Sequence, residues 1–117
     1  MTNREVRAWY HLQIQRITPA DADLAATGTS LEQRARHAFA SRREARLKAR
    51  TLMSDAADVH LLEARDLALY GRPDGPTFES LFQSLHTSAL PTDDIYRMII
   101  ESASRTNSEF DRRFGAS

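Results

Sequence analysis

Residues 34–50 read RARHAFASRREARLKAR and hold seven of the sixteen basic side chains in a chain of 117 residues. The fold turns on whether this stretch is one helix, and on which way it faces. Helical character runs without glycine or proline from about residue 31 to Tyr70. Thr29 with Glu32, or Ser30 with Gln33, offers a capping box at its start. A run of that length is long for one globular helix. Ser54-Asp55 is its natural interruption, because both residues favour caps over helix interiors. The spacing predicts one helix over about 31–53 and another over about 55–70, with Gly71 placed as a C-cap.

On a wheel at ~100° per residue, Arg36, Arg43 and Arg50 fall nearly in line. Arg42 and Arg46 lie just beside them, and the five share an arc of roughly 120°. Phe39 falls inside that arginine arc. A second, small-sided stripe runs alongside: Leu31, Ala35, Ala38, Ala45, Ala49 and Met53. Another helix can approach it closely.

Working outward, Thr2 and Glu5 form a capping box for a first helix carrying Val6, Trp9, Tyr10, Ile14 and Ile17 on one stripe. Thr18-Pro19 is expected to end that helix. Residues 18–30 read as a linker with a short turn around Ala20–Ala26. GRPDGPT, residues 71–77, is the strongest turn signal in the chain. Thr77 then caps a helix bearing Phe78, Leu81, Phe82, Leu85 and Ala89, which Leu90-Pro91 stops. Thr92 is expected to cap a last helix carrying Ile95, Tyr96, Ile99, Ile100 and Ala103 and continuing through Phe110 and Phe114. Asp93 and Asp94 sit where its macrodipole favours anions. No segment alternates with period two, and no repeat has solenoid spacing. The expected fold is all-α: about five helices in one compact domain over residues 1–117, a bundle or orthogonal array, with one long central helical region.

Formal charge sums to zero, but residues 33–51 carry +6, against −1 before them and −5 after them. Such a segment faces either its own acidic half or an acidic partner. Lys48 is the only lysine, and alanine is abundant, which points first to a GC-rich genome. The chain has no cysteine, so disulfide and thiolate chemistry are excluded. The N-terminus lacks an apolar signal region and no apolar run reaches membrane-spanning length, so a cytoplasmic protein that needs no membrane is expected. Secretion that reads no N-terminal signal is compatible with the same residues.

Three readings compete for the arginine stripe. In the first it is a solvated helix face, supported by the i,i+4 pairs Glu32–Arg36 and Glu44–Lys48. In the second it docks a protein partner or a second copy of the chain. Phe39 is then the apolar anchor inside a rim of Arg36, Arg42, Arg43, Arg46 and Arg50. In the third the same face grips the phosphates of nucleic acid, against which stand the neutral total and the absence of a basic arm. Exposure of Phe39 separates these readings. An exposed ring among guanidinium groups favours docking. A buried ring with intramolecular ion pairs makes the stripe scaffolding.

Other chemistry is poorly supplied. The helix pair at 78–101 cannot read DNA well, since Asp93 and Asp94 at the front of its second helix repel phosphate. None of the four histidines has HxxxH spacing, and His60 with Glu63 is only a fragment of a metal site. There is no nucleophile elbow and no phosphate loop. An enzyme would need a cleft gathering His60, Glu63, Asp66 and Arg105. No cofactor, metal or catalytic residue is expected. YGRPDGPTF and IIESASRTN resemble helical cassettes of bacterial secreted or toxin-associated proteins, which implies a toxin-associated domain as a further reading and assigns no residue. The expected function is a small non-enzymatic helical interaction module, with nucleic-acid binding by the same face as the alternative.

Overall fold

The computed structural model describes residues 2–53, 77–87 and 89–105. The expected helix over 55–70, the turn at 71–76 and the extension through Phe110 and Phe114 lie outside the described residues. Within them the chain is helical and contains no strand. The helices are α1 Asn3–Gln15, α2 Ile17–Ala26, α3 Leu31–Leu52, α4 Phe78–His86 and α5 Thr92–Ser104. No helix among these residues is long and apolar enough to cross a membrane.

Residues 34–50 lie within one unbroken helix, α3, capped by Ser30, whose hydroxyl accepts from the Gln33 amide at 3.2 Å. α1, α2 and α5 all pack on it. Its buried residues are Ala35, Ala38, Phe39, Arg42, Ala45, Arg46 and Ala49. At ~100° per residue these occupy a single arc of roughly 120°, with Arg42 between Ala35 and Ala49. The core-facing arc is therefore set by where three helices close around α3. It takes in part of the arginine arc as well as the alanine stripe.

Two apolar clusters flank this axis. Val6, Tyr10, Ile14 and Ile17 meet Ala38, Ala45, Ala49 and Ala103, whose small side chains let the backbones approach. Ala35, Phe39, Phe78, Leu81, Ile95 and Ile99 form the other. Ile100 packs against both. Of the aromatic residues on the apolar stripes, Tyr10 and Phe78 are buried, while Trp9, Phe82 and Tyr96 are half-buried.

Residues 18–30 are not a linker. Pro19 lies in the first turn of α2, where a missing amide hydrogen is tolerated. Its effect falls four residues upstream. The Gln15 carbonyl has no amide from residue 19 to accept, and the helix is interrupted at Arg16, the shared cap of α1 and α2. α2 then ends in a Schellman motif: Thr29 N–H donates to the Leu24 carbonyl and Gly28 N–H to that of Ala25, each at 3.1 Å. Gly28 adopts φ 79°, which a side chain would resist. Thr77 caps α4 as expected, accepting from the Ser80 amide at 3.1 Å. Thr92 does not cap α5. Pro91 holds that position, with no side-chain hydrogen bond.

Candidate functional site

Placing the six stripe residues in the fold divides them. Phe39 is 8% exposed, Arg42 1% and Arg46 2%. Arg36, Arg43 and Arg50 are half-buried along the outer shoulder of the helix. The phenyl ring, whose exposure a docking face centred on it requires, instead meets Phe78 edge-on, with ring centroids 5.8 Å apart at 81°. Phe39, Arg42 and Arg46 are therefore scaffolding, and only the half-buried shoulder of Arg36, Arg43 and Arg50 is left at the surface, because burial follows the angle around α3 and not the polarity of the residue.

Arg42 has a structural partner of its own. Its Nη1 donates to the carbonyl of Ala103 at 2.9 Å and to that of Arg105. These belong to the C-terminal end of α5, where carbonyls lack helical donors and the macrodipole is negative. A guanidinium from α3 caps α5 there. Arg34 does similar work toward α2. Its Nε and Nη2 donate to the two oxygens of Asp21 at 3.0 and 2.8 Å, a bidentate fork. The Asp21 hydrogen bond raises the pKa of Arg34 above the ordinary guanidinium value.

Arg36 ties α3 to α4. It donates to Glu32 on its own helix at 3.2 Å and to Glu79 of α4 at 2.6 Å. Its guanidinium carbon lies 4.4 Å from the centre of the Phe78 ring. Glu32 also accepts from the Tyr96 hydroxyl of α5 at 3.2 Å. The hydrogen bond from Arg36 holds the Glu79 carboxyl below the ordinary glutamate range, helped by its own backbone amide. Burial raises the Tyr96 hydroxyl, and the bond to Glu32 raises it further.

Beside this network lies an open hollow of about 230 Å³, lined by Phe39, Ala40, Arg43, Glu44, Leu47, Thr77 and Phe78. The sequence marks Thr77 only as a cap and Glu44 only as a partner of Lys48, and does not mark Ala40 or Leu47. Leu47 was the available signal, an apolar residue falling at the edge of the arginine arc. A second hollow, about 450 Å³, is lined by Leu31, Arg34, Asp93, Arg97, Ile100 and Glu101. A third, about 240 Å³, has Trp9 and Lys48 on its wall, the ammonium 5.2 Å from the ring centre.

His11 is buried, while His37 and His86 are exposed, and His86 stacks on Phe82 at 5.6 Å. Among the described residues no group of three His, Cys, Asp or Glu could hold a metal. His60, Glu63 and Asp66, the residues a catalytic cleft would need, lie outside the described residues. No protein-family model, curated protein or solved structure matches the chain.

Proposed function

We propose that this chain is a small non-enzymatic helical interaction module of the bacterial cytoplasm that docks a protein partner on the outer shoulder of α3. The observation that carries this reading is the hollow of about 230 Å³, whose lining joins apolar Phe39, Leu47 and Phe78 with charged Arg43 and Glu44. An aromatic floor with a charged rim is the anatomy of an interface hot spot. Arg36 and Arg50 continue the row one helical repeat on either side of Arg43. The docking residues are then Arg36, Arg43, Arg50 and Leu47, with the Phe39 ring as floor. Arg42 and Arg46 serve the fold.

The test is a charge reversal confined to the shoulder. Arg43→Glu with Arg50→Glu should leave the helical circular dichroism intact and abolish capture of a partner or of a second copy. Retained capture by a folded double variant removes the reading. The same protein titrated with unrelated duplex DNAs at rising ionic strength decides for phosphate binding. With three outer arginines, that alternative demands a log–log salt slope of up to about −2.7, from roughly −0.9 per phosphate contact.

A further inference from the structure

We propose that the seam beneath α4 is a receptor for an amphipathic helix bearing an adjacent aromatic–glutamate pair, and that α4 is its resident occupant in cis. This rests on the interaction-module reading and names the chemistry of the partner. The floor of the seam is built by α3 and α5. Phe39 supplies an edge-on contact to Phe78, and Tyr96 stacks against the same ring with centroids 6.3 Å apart. Arg36 covers Phe78 at 4.4 Å and takes Glu79 at 2.6 Å. Glu32 braces both Arg36 and Tyr96, so the recognition groups are held in place from outside α4.

α4 is nine residues long; it buries Phe78 and Leu81 and packs Phe82 on Tyr96, with ring centroids 5.3 Å apart. A helix that short is marginal in isolation, so it persists by docking its side chains.

Recognition centres on two consecutive residues, an aromatic ring into the seam and a carboxylate onto Arg36, with Leu81 and Phe82 extending the apolar contact. A partner helix offering the same pair meets the same groups. α4 competes with the advantage of its tether, equivalent to a high local concentration. The partner gains when α4 loosens, which makes α4 a competitive guard of the anchor Phe39.

A labelled peptide of residues 77–90, titrated by fluorescence anisotropy, tests this without the natural partner. Against the full chain carrying Glu79→Gln, where α4 has lost its carboxylate but Arg36 and Phe39 are intact, the peptide should bind about threefold more tightly than to wild type. Against Phe78→Ala, checked for folding by circular dichroism, the gain should reach about tenfold. A peptide whose own glutamate is replaced by glutamine should lose the gain. Equal affinity for the wild-type and Glu79→Gln chains, or no saturable binding to the latter, overturns the proposal, and this arm stands even if Phe78→Ala does not fold. Loss of the interaction-module reading registers separately: the Arg43/Arg50 reversal then keeps its capture while the peptide gain persists.

Discussion

Arg42 and Arg43 are neighbours of one chemical type with different work. Arg42 is sealed between α3 and the end of α5, and Arg43 lines an open hollow. Their difference is an angle of ~100° around the helix, which moves a side chain from the core arc to its shoulder. The wheel contained that angle, but the centre of the buried arc was not legible, because no apolar residue marks positions 42 and 46. Alanines fix only one border of the arc, and Phe39 was read with the arginines around it. Ala89 gives a prediction at the same scale. With φ at 62°, Ala89→Gly should raise stability by about 0.5–1 kcal/mol in urea unfolding, since glycine adopts this conformation freely. A loss of stability would mean that the turn is not left-handed there.

Among the elements, caps were the most legible feature. Ser30 and Thr77 are local signals, and each hydroxyl accepts from the amide three residues on. Ser30→Ala and Thr77→Ala should each cost about 1 kcal/mol. For Thr77 the loss should appear chiefly in α4, as faster amide exchange there with α3 unchanged. Uniform acceleration across both helices would count against a separately docked α4. The linker expectation failed at Pro19 for a reason of register. Proline breaks the hydrogen bond of the residue four earlier, so it can open one helix while closing another. The TGTS segment after α2 held the remaining clue, since Gly28 supplies the left-handed residue of its Schellman end.

For the whole molecule, the all-α class followed from periodicity alone, while the way helices share arginines did not. Ion pairs across helices depend on which helices meet, and local spacing does not encode that. Arg34–Asp21 and Arg36–Glu79 span 13 and 43 residues of sequence. The pairings predict a pH profile. Glu79 has a lowered pKa in the folded chain, so its contribution is present above the ordinary glutamate value and is lost as pH falls through the lowered one. Glu79→Gln should flatten that acid limb, and added salt should shrink it, because the pair is exposed. Tyr96 has the opposite sign. Its raised pKa gives a contribution that is complete below the ordinary tyrosine value and fades as pH rises. Tyr96→Phe should remove that alkaline limb. Unchanged profiles in both variants would mean the pairs do not form in solution.

The division of labour within one arginine stripe is tested most directly by equilibrium urea unfolding of Arg42→Ala beside Arg43→Ala. Removing the Arg42 guanidinium strips the end of α5 of its donor and leaves a void, so that variant should lose about 2–4 kcal/mol. Arg43→Ala should lose less than about 1 kcal/mol. Equal losses, or an Arg42→Ala protein as stable as the parent, would contradict the assignment of these two side chains to scaffold and surface.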